Sequence, residues 1–316
     1  MQQAAAGPVQ RVAICVATFQ RPVGLRRCLE AIAGLTFARV TPPEVVVVVV
    51  DNAPDSAAAV CDEMRPRLPW PLRYEREMQR GISFARNRAI AVAREVADFV
   101  AFIDDDEAPE PNWLDELLHA QVANDADVVA GPVTRHFESE PPEWVRRGGF
   151  FVDPRRPTGT PVRDPGTGNV LIRLAALESF DAPFDPRFAL TGGEDTHLFL
   201  RLHRAGCTMV WADDALAHEW IPASRANARW VLMRIYRGAN TWSLCERELD
   251  PGVRATTMRA AKGLARVGMG VAMLPFSWML GRHMVVRSLW YVCFGTGNLT
   301  GLVGLRYDEY RVTHGN

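Results

Sequence analysis

Lysine is nearly absent: Lys262, late in the chain, is the single one among 316 residues. A glycine-rich phosphate loop closed by an early lysine is therefore not expected. The six cysteines (Cys15, Cys28, Cys61, Cys207, Cys245, Cys293) lie far apart and form no C-x-x-C pair. That pattern supports neither a zinc site nor a disulfide framework and suits a reducing compartment. The start, MQQAAAGPVQR, lacks a basic cluster and an apolar run, so no export is expected and the protein should stay in the cytoplasm. No apolar run reaches the ~20 residues that a spanning helix needs. Residues 267–281 give 15 and include Pro275; residues 288–305 give 18 but hold four glycines and Asn298.

What is present is an ordinary globular composition, 48% apolar and 23% charged with a net charge of −1, which excludes disorder and a general affinity for nucleic acid. The charge is uneven. Residues 225–311 hold 12 arginines and Lys262 against five acids, so this part is basic and the rest acidic. Flanked by Arg266, Arg282, Arg287 and Arg306, the two apolar stretches read as helices in a membrane interface, attracted to anionic lipid. The alternative is a helical hairpin packed on the core, or a dimer interface.

From residue 11 to about 131 strands and helices alternate. RVAICVAT, EVVVVVVD, LRYERE, DFVAFID and DVVAG read as strands, and 22–34, 55–65 and 82–97 as helices. Continuous Val, Ile and Phe runs mark strands covered on both faces, which predicts a doubly wound parallel sheet. Residues 132–170 read as loop, 173–179 as a helix, CTMVWAD as a strand and 224–247 as a long amphipathic helix.

In such sheets ligands bind beyond the carboxyl ends of the strands, where Thr18 to Arg21, Asp51-Asn52 and Asp104 to Asp106 stand. Adjacent carboxylates repel, so a triplet after a buried strand points to a cation. Mg²⁺ and Mn²⁺ prefer oxygen ligands, and in an extended segment Asp104 and Asp106 would face one ion while Asp105 points elsewhere. GISFARNRAIAVA puts a helix N-terminus, Arg86 and Arg88 at the same crevice, suited to a diphosphate. In GGEDTHLFLRLHRAG, Glu194 and Asp195 open a helix, where a carboxylate stays ionised and can act as a base. His218 follows the last strand. Read singly, each has a plainer explanation: an acidic turn, a surface arginine, a helix cap, a structural histidine.

Taken together, ATFQRP, VVDNAP, GISFARNRAI, FIDDDE with NWL, GTGNVLIR and GGEDTHLFLRL resemble the family 2 glycosyltransferases, in family order from residue 11 to about 222. Among members the chain looks most like bacterial exopolysaccharide glucosyltransferases of the succinoglycan type. The resemblance implies a GT-A nucleotide-diphosphosugar fold over residues 1–222 and a membrane-associating helical extension over 223–316. It implies that Thr18, Arg21 and Asp51 contact the nucleoside, that Arg86 lies near the diphosphate, and that Asp104, Asp105, Gly168, Asn169 and Glu194 also line the donor site. It gives Asp104, Asp106 and His218 to a Mn²⁺ or Mg²⁺ ion and the catalytic base to Asp195. Processive relatives carry Gln-x-x-Arg-Trp, whereas ANARW keeps Arg229 and Trp230 but has Ala226 in the glutamine position. Transfer of one sugar per acceptor is expected, with inversion.

The expected donor is a UDP-sugar and the expected acceptor a polyprenyl-diphosphate-linked saccharide at the cytoplasmic face of the inner membrane, with a homo-oligomer open. A sugar-phosphate nucleotidyltransferase, or a non-catalytic saccharide-binding protein on the same fold, are the alternatives.

Overall fold

The computed structural model describes residues 10–306 except 54 and 154. The N-terminal segment read as lacking an export signal, and the last residues of the basic region, lie outside the described residues.

The chain starts with β1 (Arg11–Thr18), α1 (Pro22–Ala33), β2 (Glu44–Asp51), α2 (Ala58–Met64), β3 (Leu72–Arg76), α3 (Ile82–Val96) and β4 (Phe99–Ile103). β1 pairs in parallel with β2 and β4, and β2 with β3. Along β1 the side chains alternate between two cores: Val12, Ile14 and Val16 pack towards α1, α2 and the later α4 (Trp113–Asn124), whereas Ala13 and Cys15 pack towards α3. β2 splits its valines likewise, Val47 and Val49 to one side and Val48 and Val50 to the other. A strand covered on both faces needs apolar residues at every position, which is why EVVVVVVD is not alternating. Each fully buried valine contributes about 1.5–3 kcal/mol.

Beyond β4 the sequence reading is only partly met. A short β5 (Glu107–Pro109) precedes α4, and β6 (Val128–Ala130) follows it. The stretch read as loop contains β7 (Val133–Phe137) and α5 (Glu143–Gly148). GTGNVLIR forms β8 (Asn169–Arg173), inserted antiparallel between β4 and β6, so the sheet is mostly rather than wholly parallel. A 3₁₀ turn over Leu174–Leu177 stands where a helix over 173–179 was expected. After α6 (Glu194–Arg204), β9 (Met209–Trp211) completes the order β3-β2-β1-β4-β8-β6-β9. β10 (Ala217–Ile221) joins β5 and β7 in a second, three-stranded sheet. That strand was hidden because its residues, AHEWI, include a single β-branched side chain, Ile221, and do not alternate apolar with polar.

The C-terminal part is α7 (Ala228–Leu249), α8 (Val253–Leu280) and α9 (Arg282–Leu302). α9 lies between the other two. Glycines permit this: a Cβ on Gly270 would stand 2.6 Å from the Ser288 carbonyl, and one on Gly295 2.5 Å from that of Gly263. From His283 to Leu302 every residue of α9 is at least partly covered. Of the two apolar stretches read as membrane-facing, 288–305 is therefore mainly packed inside the protein, the hairpin alternative. The other differs. α8 is long and apolar enough to cross a membrane by length and composition, yet only 17% of its most apolar window is buried.

Candidate active site at the strand ends

A cavity of about 1300 Å³ opens beyond the ends of β1, β2 and β4. Its floor is the acidic segment after β4. Residues 104–106 form a turn closed by the Glu107 N–H to the Asp104 carbonyl, 3.1 Å, and are not extended as the sequence suggested. The turn still separates the three carboxylates. Asp105 folds under, accepting from Thr18 Oγ1 at 2.7 Å and Arg21 Nη1 at 3.1 Å. Burial pushes its carboxyl up to about 7, against the pull of Arg21. The Asp104 and Asp106 side chains remain 41% and 26% exposed at the cavity. Arg21 also holds Asp106, at 3.0 Å. Glu107 is buried beneath them, and desolvation and then Asp104 raise its pKa well above the usual range.

Arg86 connects this turn to the other acidic motif. From α3 its Nη2 donates to Asp104 Oδ1 at 2.9 Å and its Nη1 to Glu194 Oε1. Glu194 is buried, its Oε2 has no hydrogen-bond partner among the described residues, and burial pushes its pKa up to about 7, with Arg86 opposing and Asp195 adding. Asp195, next in α6, lines the cavity and accepts from the Thr196 N–H at 2.6 Å through Oδ1. Gly192 and Gly193 precede them with φ of 74° and 93°, values that favour glycine, and a Cβ on Gly193 would run into Thr241 of α7. Between the two acidic motifs passes the loop 166–168. A Cβ on Gly168 would lie 2.7 Å from Glu107 Oε1 and 3.2 Å from Asp104 Oδ2, and one on Gly166 4.0 Å from Asp195 Oδ2. At residue 168 only glycine fits without displacing Glu107 or Asp104.

Thr18, Arg21, Arg86, Asp104, Asp105, Asp106, Gly168, Asn169, Glu194 and Asp195 thus border one cavity. Several are engaged otherwise than the sequence suggested. The Arg86 guanidinium is held by two carboxylates and buried, so it is not open to a diphosphate. Asn169 accepts from Trp113 Nε1 at 2.7 Å and donates to the Pro132 and Ala215 carbonyls, locking β8 to its neighbours. Asp51 is buried and binds Ser56 Oγ, Tyr74 Oη and the Ala53 and Ala57 N–H groups, while its neighbour Asn52 borders the cavity.

His218 must be corrected. It sits within β10, where neighbours face opposite ways: Glu219 borders the cavity, and His218 instead meets Glu110 at 3.0 Å and His136 at 2.9 Å. It is not brought to Asp104 and Asp106.

Sequence reasoning also missed a charged wall. Glu219 holds Arg135 at 3.0 Å and Arg225 at 3.1 Å, and Arg225 lies 3.7 Å from Asp106. No local pattern marked Glu219, because AHEWI does not alternate apolar with polar.

Asp104 and Asp106 suit a hard divalent ion: both are carboxylates, both partly exposed, and Asp104 Oδ2 lies beside the cradle left by Gly168. Elsewhere Asp185, His197 and Glu248 come within ligand distance of one another. There Arg187 holds both acids at 2.6 Å and supplies the positive charge a cation would bring.

Comparison with known proteins agrees with this architecture. The chain is 31% identical over 300 residues to the succinoglycan biosynthesis protein ExoM of Rhizobium meliloti, covering 94% of each. It is 25% identical over 252 residues to the hyaluronan synthase of Pasteurella multocida, covering 68% of this chain and 25% of that protein. Among solved structures, the mannosyltransferase PcManGT from Pyrobaculum calidifontis, in complex with GDP-Man and Mn²⁺, superposes with a TM-score of 0.61 at 16% identity, over 92% of this chain and 87% of that one. Residues 1–349 of S. aureus TarS, in complex with UDP, give 0.52 at 15% identity, over 93% and 92%. The profile of glycosyl transferase family 2 matches residues 13–180. With more than half its length inside that profile, this chain belongs to glycosyl transferase family 2 and is a glycosyltransferase.

Proposed function

We propose that the protein moves one sugar from a nucleotide sugar, with UDP as the nucleotide, to a lipid-linked saccharide during exopolysaccharide synthesis, with inversion at the anomeric carbon. The single observation that carries this reading is Arg86, which joins Asp104 to Glu194 and so sets Asp104, Asp106 and Asp195 around one cavity. The similarity to ExoM along nearly the whole chain supports the pathway, and the nucleotide-sugar complexes of the structural neighbours support the donor class. Residues 1–222 form the catalytic domain in this reading, and 223–316 serve acceptor and membrane.

Asp104 and Asp106 would hold Mn²⁺ or Mg²⁺, whose charge offsets that of the departing diphosphate. Asp195 takes the proton of the acceptor hydroxyl as its oxygen attacks the anomeric carbon from the face opposite the diphosphate. The bond from that carbon to the diphosphate oxygen breaks and the new glycosidic bond forms. Arg86 keeps Glu194, and with it the first turn of α6, fixed relative to Asp104. Asp105, buried against Thr18 and Arg21, holds the turn that presents its two neighbours. The exposed apolar end of α8 attaches the enzyme to the cytoplasmic face of the inner membrane.

The test is UDP release from a panel of UDP-sugars, with and without Mn²⁺, by the wild type and by Asp195→Asn. Metal-dependent release from at least one donor is expected, reduced about 10²–10⁴-fold in Asp195→Asn, the usual contribution of a general base. Binding of UDP should be retained. A fully active Asp195→Asn enzyme would overturn the assignment, and pyrophosphate exchange instead of UDP release would favour a nucleotidyltransferase.

A further inference from the structure

We infer that the N-terminal half of α7 is a separate anion subsite, for the diphosphate of an isoprenoid-linked acceptor. The inference rests on the proposed transfer and adds where the acceptor's head group binds. Trp230, Met233, Arg234 and Arg237 recur at helical spacing and border the cavity, as does Arg229. The acids on this wall are already matched: Glu219 by Arg135 and Arg225, and Asp153 by Arg135 at 2.7 Å. Arg229 and Arg234 have no carboxylate within ion-pair distance among the described residues, and Arg234 rests 5.1 Å over the Trp230 ring. Unmatched guanidinium groups in a concave wall suit an anion with several oxygens, which they can bind with charge-assisted hydrogen bonds.

The second observation is where the apolar surface lies. α9 runs alongside α7 in the same direction, Val286 sharing a cluster with Val231, and Gly297 abutting Tyr236 and Ala239. The junction of α8 and α9 therefore stands at the N-terminal end of α7, only ~10 Å along the helix axis from Val286 at 1.5 Å per residue. At that junction Phe276, Trp278, Met279 and Leu280 are exposed, beside a groove of about 330 Å³ lined by Met269, Met273, Phe276, Leu280 and Met284. One end of the molecule thus offers an arginine wall and an oily groove together. A diphosphate head with a hydrocarbon tail matches both; the diphosphate of the donor, bound at the strand ends, has no use for the groove.

Isothermal titration of the full chain with geranyl diphosphate, geraniol, inorganic pyrophosphate and UDP tests this. Geranyl diphosphate should bind at least about tenfold more tightly than geraniol or pyrophosphate, and Arg229→Gln/Arg234→Gln should weaken it about tenfold, as expected for loss of hydrogen bonds to a charged group. Arg229→Lys/Arg234→Lys should recover part of that loss, which a merely misfolded variant would not show. UDP binding with Mn²⁺ should change by less than about threefold, far less than loss of a charge-assisted bond. Unchanged affinity of the Gln pair for geranyl diphosphate overturns the proposal, as does an equal loss for UDP, which would give these arginines to the donor. None of these measurements requires turnover, so they separate failure of the subsite from failure of the transferase reading.

Discussion

The cleft and the C-terminal helices break opposite rules. The cleft buries carboxyl groups: Asp105, Glu107 and Glu194 are each no more than 5% exposed. The end of α8 does the reverse, leaving Trp278 82% and Met279 84% exposed. Burying an acid costs free energy unless it is paired, and exposing large apolar side chains forgoes their transfer from water. The cleft meets that cost from within the chain, Arg86 holding Glu194 and Arg21 with Thr18 holding Asp105, whereas the end of α8 finds no such cover among the described residues.

The contrast extends into the hairpin. α8 and α9 are similarly apolar, yet α9 is covered along its length and the second half of α8 is not. α9 is packed from two sides, with Gly295 against α8 and Gly297 and Gly301 against α7, where a Cβ would meet the neighbouring backbone.

The sharpest way to break the comparison is to remove the charge that makes the cleft tolerable. Arg86→Leu should leave Glu194 buried without a partner and lower stability by about 3–5 kcal/mol, read from urea unfolding. Adding Glu194→Gln should restore a large part of that loss if the pair, and not the bulk of the arginine, is responsible. Smaller, but still clear, is the effect expected at the helix contact. Gly295→Leu must push α9 from α8 and should cost about 1–3 kcal/mol by overpacking. The smallest effect on folding is expected where the apolar surface is exposed. Phe276→Ser/Trp278→Ser should change stability by less than about 0.5 kcal/mol. The same change should sharply reduce sedimentation with anionic lipid vesicles; unchanged sedimentation would remove the hairpin tip from any membrane role.

The first half of the fold was legible because each strand carries its burial in its own residues. RVAICVAT and EVVVVVVD are apolar at every position, and helices of ordinary length separate them. β8 was not legible: NVLIR is short, follows a glycine loop, and its antiparallel place between β4 and β6 depends on partners far away in sequence. The second sheet failed for the same reason, and with it the placement of His218, which pointed to the cavity only as long as CTMVWAD was taken as the last strand. The acidic motifs were found from their residues, but not their wiring. That Arg86 serves Asp104 and Glu194, and that Asp51 is absorbed by Ser56 and Tyr74, are matters of which side chains meet.

By itself the sequence determined the layered α/β core, the family and the identity of the acids at the strand ends, because local apolar pattern and short motifs act over a few residues. Tertiary structure alone decided which acid is buried and which faces the cavity, which of two apolar stretches is covered, and that the α7 arginines line the same cavity as the acids. These are outcomes of close packing between distant segments, where a glycine contact or a single shared guanidinium sets the arrangement, and no local pattern encodes them.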